Sequence, residues 1–412
     1  MIKRHLSKVI KEAIKHFPVV ILTGPRQVGK STLLYKDFVS KGYNYVSLDD
    51  VATRNLAKNS PKSFLDSNPC PLIIDEVQKA PELFDEIEKT VNETRLTKGN
   101  KKAAGMYILT GSTRHLLLDK AEESLAGRCA IVNMLPLSIS EIFGNENMIF
   151  PADLKNINSR AKKTACRLDN IYKFIACGFM PFIYDDEDVN VSLYYSSYVN
   201  TYIEKDLKDV LNVTDEIKFL NFLRLLASNT SQELIYDTYS KDVGVDAKTA
   251  KAWISALVKT GIVYLVQPYN ETSIVKRIVK RPKLYFFDTG LVCHLLGVDN
   301  EETLKKSFLK GRIFENAVMN EIKKSFVNEG VNQELYYYRD SNHNEIDLVY
   351  IKDAKINLVE IKSGTNFNLG DVSGFKQLDN SKWGKGIRSI VCTNDKLSSI
   401  GDDIYLIPAS GI

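Results

Sequence analysis

Residues 19–34 of the chain read VVILTGPRQVGKSTLL, and this stretch decides the fold of the N-terminal region. Its central part fits the pattern G-x-x-x-x-G-K-[ST], known as Walker A. The apolar residues before the pattern predict a buried strand, and the residues after it predict a helix. Glycines let backbone N–H groups approach a phosphate, and a helix N-terminus adds positive potential there. The stretch therefore predicts a phosphate-binding loop between a strand and a helix.

The polar residues at the end of this loop indicate nucleotide chemistry. Lys30 is expected to contact the β and γ phosphates, and the hydroxyl of Ser31 is expected to ligate Mg²⁺. ATP is therefore the expected ligand and Mg²⁺ the expected cofactor. The nucleotide-binding candidates are Gly24, Pro25, Arg26, Gln27, Val28, Gly29, Lys30, Ser31 and Thr32.

Further apolar runs support an α/β fold around this loop. The runs at 45–48, 72–74 and 106–109 are separated by helical patterns, which predicts a parallel sheet. The second run ends in Asp75 and Glu76, the acidic pair of a Walker B pattern. Asp75 is expected to hold the metal ion, directly or through water, and Glu76 to polarise the attacking water.

Two further polar positions are candidates for the catalytic site. Ser112 or Thr110 follows the apolar run at 106–109 and would sense the γ phosphate, although a turn at the strand end is the alternative. Arg128 is a candidate arginine finger, acting in its own site or in the site of a neighbouring copy in a homo-oligomer. A structural salt bridge is the alternative for Arg128.

These motifs together resemble a large bacterial and archaeal family of AAA+ ATPases whose C-terminal half is a family-specific domain of uncharacterised function. The resemblance covers most of the chain and implies ATP hydrolysis without implying a cellular task. Its marks are the loop at 23–32, IDEVQ at 74–78, LTGS at 109–112, SLAGR at 124–128, LPLS at 135–138, GFMP at 178–181 and YIEKD at 202–206.

Composition sets limits on the rest of the reading. The chain has 412 residues, which favours two or three domains, and its net charge of +4 neither requires nor excludes a nucleic-acid partner. The six cysteines form no C-x-x-C pair and show no zinc-site spacing. The apolar run at 19–22 is too short to cross a bilayer or to act as a signal core. A cytoplasmic protein without a membrane partner is expected.

The middle of the chain has the order of a winged helix-turn-helix. Its predicted elements are a helix at 219–228, a short helix at 233–239, a turn at 243–245, a third helix from the N-cap Asp246 to Lys259, and a strand at 262–266. The third helix presents Lys248 and Lys251, and a basic run at 276–283, the predicted linker, follows. This pattern favours phosphate contacts to double-stranded DNA, and a protein-interaction module with a solvated lysine face is the alternative.

The C-terminal part contains two predicted strands joined by a short turn. A hairpin symmetric about Asp353 and Ala354 places Asp347 across from Glu360, with Lys362 on the same face. Two facing carboxylates repel, and Mg²⁺ is expected to supply the compensating charge. The pattern resembles the restriction-endonuclease-like nuclease core, in which Glu315 matches a further acid on the preceding helix. A salt-bridged, solvated strand face is the alternative.

The sequence thus predicts an α/β protein in four segments. They are an AAA+ P-loop ATPase core at 1–145, a helical lid or connector at 146–212, a winged helix at 213–282 and a restriction-endonuclease-like α/β domain at 283–412. Two functions stay open. One is an ATPase that acts on DNA and cleaves it with Mg²⁺ through Glu315, Asp347, Glu360 and Lys362. The other is an ATP-switched module that binds a partner protein through a catalytically silent nuclease-like domain.

Overall fold

A computed structural model describes most of the chain. The described residues are 2–111, 117, 120–121, 123–151, 154–167, 171–186, 188–203, 216–271, 281–401 and 403–412. Ser112, residues 204–206 and residues 276–280 of the basic run lie outside the described residues.

A parallel sheet with the strand order β2-β3-β4-β1-β5 forms the centre of the N-terminal region. Its strands are β1 (Val19–Thr23), β2 (Asn44–Ser47), β3 (Leu72–Asp75), β4 (Tyr107–Thr110) and β5 (Cys129–Asn133). Every neighbouring pair is parallel, which confirms the predicted sheet. The edge strand β5 was not predicted; its apolar run is short, and only one of its five residues is fully buried.

Helices cover both faces of this sheet. They are α1 (Leu6–Ala13), α2 (Lys30–Phe38), α3 (Val51–Asn59), α4 (Pro61–Ser67), α5 (Leu83–Lys98) and α6 (Asn100–Ala103), with 3-10 turns at Val39–Lys41 and Val77–Lys79. Val20 and Leu22 pack towards α1 and α2, whereas Val19 and Ile21 pack towards α4 and α5. This alternation follows from the two-residue period of a strand and explains why the whole of β1 is buried.

The middle of the chain is helical. Its elements are α7 (Ile139–Ile142), α8 (Leu154–Arg167), α9 (Ile171–Cys177), a 3-10 turn at Pro181–Tyr184, α10 (Val191–Tyr198), a π-helical turn at Val199–Ile203, α11 (Glu216–Ser228), α12 (Tyr236–Val243) and α13 (Ala247–Lys259). Asp246 caps α13 by accepting a hydrogen bond from the backbone N–H of Thr249, as predicted. The predicted start of α12 at 233 is wrong, because Leu234 N–H donates to the carbonyl of Pro282 and residue 233 pairs with a strand instead.

An eight-stranded sheet with the order β12-β13-β11-β10-β9-β8-β6-β7 organises the C-terminal region. Its strands are β6 (Val263–Pro268), β7 (Lys283–Phe286), β8 (Tyr336–Arg339), β9 (Glu345–Lys352), β10 (Lys355–Ile361), β11 (Gly384–Cys392), β12 (Ser398–Ile400) and β13 (Ile404–Pro408). The accompanying helices are α14 (Thr289–Leu295), α15 (Glu301–Lys306) and α16 (Lys310–Val327), with 3-10 segments at Leu369–Leu378 and Ala409–Gly411. Strand β6, which follows α13, pairs with β7 and with β8 and so joins this sheet.

A buried aspartate connects the helical middle to the C-terminal region. Asp288 caps α14 and accepts hydrogen bonds from the backbone N–H of Phe179 at 2.6 Å, the hydroxyl of Tyr195 at 2.5 Å and the backbone N–H of Leu291 at 3.1 Å. A Cβ added to Gly178 would lie 2.1 Å from the Tyr195 hydroxyl. The segment that contains α9 and α10 is therefore packed tightly against α14.

Candidate nucleotide-binding site

The loop between β1 and α2 needs glycine at its first position. Gly24 has a φ of 144° and Gly29 a φ of 90°, backbone conformations that L side chains rarely adopt. A Cβ on Gly24 would also lie 2.1 Å from the carbonyl oxygen of Met134. The glycine spacing of this loop therefore reflects both backbone geometry and a close approach to the segment after β5.

Lys30, the first residue of α2, folds back onto this loop. Its Nζ donates hydrogen bonds to the carbonyl oxygens of Gly24 at 2.9 Å and Pro25 at 2.8 Å. Burial lowers the pKa of Lys30 to about 8, against the opposing effect of the Glu76 and Asp75 carboxylates. The ammonium is thus held inside the loop, where phosphate oxygens would be stronger acceptors than the two carbonyls.

The hydroxyl of Tyr45 links Asp75 to Ser31 by hydrogen bonds. The hydroxyl of Tyr45 donates to Asp75 Oδ2 at 2.6 Å and is also hydrogen-bonded to the hydroxyl of Ser31. The second oxygen, Asp75 Oδ1, is buried and has no hydrogen-bond partner in the described part of the chain. Buried carboxylate oxygens are rarely left unpaired. A hydroxyl beside an unpaired carboxylate oxygen fits a hard cation such as Mg²⁺.

Glu76 follows β3 in an unusual backbone conformation. Its φ is 56°, in the left-handed region that costs free energy for a residue with a side chain. The carboxylate accepts a hydrogen bond from Nε2 of Gln78 and lines the cavity beside the loop. Such backbone strain is concentrated at functional sites, where it fixes the direction of a side chain.

The two sensor candidates can be described only in part. Thr110 ends β4, and its hydroxyl is buried without a hydrogen-bond partner among the described residues. Ser112 lies outside the described residues, so its role stays a prediction.

Arg128 is not brought to the phosphate loop within this chain. Its guanidinium binds helix α5, where Nε donates to Asn92 Oδ1 at 2.8 Å and Nη2 lies 3.2 Å from Glu88 Oε1. It is not among the residues that line the cavity. The geometry inside one chain is that of the structural salt bridge, and a role in a neighbouring copy stays a prediction.

A cavity of about 1550 Å³ extends from the phosphate loop to the helical middle of the chain. Its walls include Lys30, Ser31 and Glu76 on one side, and Phe182 and Tyr194 on the other. The rings of Phe182 and Tyr194 are stacked, with centroids 5.4 Å apart and planes 15° apart. The hydroxyl of Tyr194 donates to Gln27 Oε1 at 2.7 Å.

Sequence reasoning missed both aromatic residues. The tyrosines of α10 were visible as a helical pattern, but nothing in that pattern indicated which ring faces the loop. In the structure Phe182 lines the cavity with 55% of its surface exposed, so this ring is accessible to a ligand.

The carboxylates of the C-terminal region form a second cluster, and the predicted hairpin register is confirmed. Lys352 pairs with Lys355 and Leu348 with Val359, which places Asp347 and Glu360 next in line. Asp347 Oδ2 accepts from the backbone N–H of Ile361 at 2.9 Å, and the Asp347 and Glu360 carboxyl groups share a hydrogen bond. Burial and the neighbouring Asp347 raise the pKa of Glu360 well above its ordinary value.

Glu315 joins this cluster from helix α16, and Lys362 lies at its edge. The carboxylate of Glu315 accepts from the Tyr285 hydroxyl at 2.7 Å, and burial raises its pKa to about 7. Lys362 Nζ lies 3.2 Å from Glu360 Oε2, with 42% of the lysine side chain exposed. The four predicted positions are therefore brought together.

A residue that was not predicted lies at the centre of the cluster. Lys283, the first residue of β7, is buried, and its Nζ lies 2.6 Å from Glu345 Oε1, 3.1 Å from Glu315 Oε1 and 3.5 Å from Asp347 Oδ1. The prediction that Lys283 belongs to a linker is therefore wrong, because it begins strand β7 and these carboxylates hold its ammonium in a buried position. Among the described residues, no group of three or more His, Cys, Asp or Glu side chains is arranged to hold a metal ion.

Comparison with known proteins agrees with the N-terminal geometry. Residues 16–143 match the family profile of an AAA domain. Residues 168–302 and 310–412 match two domains of unknown function, DUF8612 and DUF4143. The N-terminal region is thus a P-loop domain of the AAA type. None of the helices in the described ranges is long and apolar enough to cross a bilayer.

The chain is also similar to whole proteins. It is 25% identical over 349 residues to an uncharacterized protein of Mycobacterium tuberculosis, which covers 84% of this chain and 70% of that protein. It is 24% identical over 381 residues to an uncharacterized protein of Methanocaldococcus jannaschii, covering 85% and 76% respectively. A solved Walker-type ATPase of Pyrococcus abyssi is 14% identical, covers 70% of this chain and 94% of its own, and superposes with a TM-score of 0.41.

Proposed function

We propose that the chain hydrolyses ATP in a Mg²⁺-dependent reaction at the loop between β1 and α2. The observation that carries this proposal is the buried, unpaired Asp75 Oδ1, whose carboxylate is linked to the Ser31 hydroxyl through Tyr45. Ser31 and Asp75 would hold Mg²⁺, which would neutralise charge on the phosphates. A buried, unpaired carboxylate oxygen is costly unless a ligand satisfies it.

Each residue of the site has a separate role in this proposal. Lys30 exchanges the Gly24 and Pro25 carbonyls for β- and γ-phosphate oxygens. Glu76 orients a water molecule and accepts its proton as the water oxygen bonds to the γ phosphorus. The bond to the β–γ bridging oxygen breaks, and the products are ADP and inorganic phosphate. Phe182 and Tyr194 would form an aromatic surface for the base of the nucleotide.

The ATPase site is connected to the C-terminal region, which supports an ATP-switched module. Helix α16 contacts the segment that follows β5. Lys324 Nζ donates to the carbonyl of Leu137 at 2.7 Å, and Glu321 Oε2 accepts from the backbone N–H of Ile139 at 2.8 Å. The same segment contains Met134, which touches Gly24 of the loop. A change at the loop would therefore reach α16 through one short stretch of chain, and a partner protein bound there would sense it.

Phosphate release by the wild type, Lys30→Ala and Glu76→Gln tests the proposal. Lys30→Ala is expected to abolish ATP binding and hydrolysis. Glu76→Gln is expected to bind ATP but to release phosphate at least about 100-fold more slowly, because it removes the proton acceptor alone. Lys58→Ala, on an exposed position of α3, is the matched control. Phosphate release that is unchanged in Lys30→Ala would overturn the proposal.

A second candidate function is binding of double-stranded DNA by a winged helix made of α11 to α13 and the strands that follow. The observation that favours it is the exposure of Lys248, Lys251 and Lys259 on α13. Lysine contacts to phosphates make binding steeply salt-dependent. If α13 lies on DNA, Lys248→Ala with Lys251→Ala should weaken binding and flatten the salt dependence. Binding that does not change with salt would exclude this function.

A further inference from the structure

We propose that Lys283 is a built-in cation that takes the place of a divalent metal ion in the carboxylate cluster of the C-terminal region. The cluster is then complete without a metal, and it does not hydrolyse phosphodiester bonds. The inference concerns a site apart from the phosphate loop and does not depend on the ATPase proposal.

The Lys283 ammonium lies at the centre of the carboxylate cluster. Lys283 Nζ lies within 3.5 Å of oxygens from Glu315, Glu345 and Asp347, which come from α16 and β9. A hard divalent cation at this point would need those same carboxylate oxygens. The lysine is 2% exposed and extends from β7, so it cannot leave the cluster without exposing its stem or moving the strand. Its Nζ also lies 5.5 Å from the centre of the Tyr337 ring, a favourable cation–π distance.

The buried carboxylate oxygens of the cluster already have hydrogen-bond partners within the described part of the chain. In the described part of the chain, none of the cluster's buried carboxylate oxygens lacks a hydrogen-bond partner, whereas Asp75 Oδ1 in the ATPase site does. The same molecule thus contains one carboxylate site that awaits a ligand and one that is already satisfied. Tyr285 and the backbone N–H of Ile361 complete the hydrogen bonds of Glu315 and Asp347.

The cluster contains its own positive charges. Four carboxyl groups, those of Glu315, Glu345, Asp347 and Glu360, face the two ammonium groups of Lys283 and Lys362. Glu360 shares a hydrogen bond with Asp347, and burial together with the Asp347 carboxylate raises the pKa of Glu360 well above its ordinary value. The two ammonium groups therefore reduce the negative charge that could attract Mg²⁺ from water.

Lys283 and Lys362 differ in burial. Lys283 is enclosed by the cluster, whereas Lys362 is partly exposed to solvent. Lys362 occupies the position that the nuclease-like pattern assigns to a lysine and is 42% exposed. Lys283 comes from a different strand and is enclosed. The cluster therefore joins β7, α16 and the β9–β10 hairpin through one ammonium, a role that a metal ion fills in other proteins.

Titration of the nucleotide-free full chain with Mn²⁺ tests the inference. The wild type and Glu360→Gln are expected to bind the same number of Mn²⁺ ions, because the carboxylate cluster of the wild type binds none. Lys283→Met, which keeps the volume but removes the charge, is expected to melt lower and to bind one additional Mn²⁺. That additional ion should be lost in the double variant Lys283→Met with Glu360→Gln. Nicking of supercoiled DNA should stay absent in the wild type with Mg²⁺ or Mn²⁺.

Three results would overturn the inference. One is a wild type that binds one Mn²⁺ more than Glu360→Gln. The second is a folded Lys283→Met that binds no more Mn²⁺ than the wild type. The third is DNA nicking that Glu360→Gln abolishes. If Lys283→Met does not fold, Lys283→Arg is compared with the wild type instead. Because arginine keeps the positive charge, this variant is expected to fold and to bind no more Mn²⁺ than the wild type, and an additional bound Mn²⁺ would overturn the inference.

Discussion

Tyr194 donates a hydrogen bond to Gln27 at 2.7 Å, so helix α10 is joined directly to the tip of the phosphate loop. Gln27 itself has a φ of 61°, which places its side chain towards the helix at some cost in backbone free energy. The ring that makes this bond also supports Phe182. One side chain thus links the loop that would bind phosphates to the surface that would hold the base.

Replacing Phe182 by alanine should weaken ATP binding about tenfold, because stacking of a base on an aromatic ring contributes on the order of 1–3 kcal/mol. Binding of inorganic triphosphate, which has no base, should not change. Calorimetric titration of both ligands measures the difference. Phe308→Ala is the matched control, since this phenylalanine is 94% exposed and does not line the cavity. Equal losses for both ligands would place Phe182 outside the base site.

The affinity for ATP should fall as the pH rises through about 8, where the Lys30 ammonium of the free protein loses its proton. Bound phosphates favour the charged form, so binding above this pH should take up a proton. The dissociation constant measured between pH 7 and pH 9.5 should therefore rise, and calorimetry in two buffers should show the proton uptake. Lys30→Arg, whose guanidinium does not titrate in this range, should bind with a flat profile if it binds at all. A flat profile in the wild type would contradict the assigned role of the Lys30 ammonium.

Ala354→Gly should stabilise the protein by about 1 kcal/mol. Asp353 and Ala354 have φ values of 52° and 58°, the conformation of a two-residue type I′ turn in which glycine is strongly favoured at the second position. Urea unfolding measures the change in the free energy of unfolding. Ala252→Gly on the exposed face of α13 is the control of opposite sign, with a loss of about 1 kcal/mol. A destabilising Ala354→Gly would show that the turn is held by other contacts.

If Arg128 acts in the site of a neighbouring copy, ATP turnover per chain should rise with protein concentration. Arg128→Ala should then lower turnover at every concentration. Glu88→Gln breaks the ion pair of 3.2 Å without removing the guanidinium and should leave turnover unchanged. Native mass spectrometry at the assay concentrations reports assembly. A fully active monomer would rule out the role between copies.

Much of the N-terminal site is predictable because its signals are local. The glycine spacing, the apolar strand before it and the two acids at the end of β3 lie within short stretches. The symmetry of the hairpin about Asp353 and Ala354 likewise places Asp347 opposite Glu360. Lys283 was misjudged for the opposite reason. Its partners lie 32 or more residues away, and the residues shortly before it, Lys280 and Arg281, are basic. A charge that is compensated only through tertiary contacts looks solvated in a sequence.

The same distinction applies to the aromatic wall of the cavity. Helical spacing shows that α10 has tyrosines on more than one face, but the face that meets the loop depends on how Asp288 fixes the helix through Tyr195. That contact joins residues 93 positions apart. The sequence therefore predicts helix α10 itself, but not its orientation, because that orientation depends on packing between distant segments.

The hydrogen bonds of Asp288 have a consequence for how a nucleotide-driven motion would spread. Because Phe179, Tyr195 and α14 all converge on one buried carboxylate, the segment that covers the cavity cannot swing as an independent flap. We expect closure over ATP to carry α14 with it, and with α14 the strand β7 that precedes it. Opening and closing at the nucleotide would then move α14 and β7 together with α9 and α10.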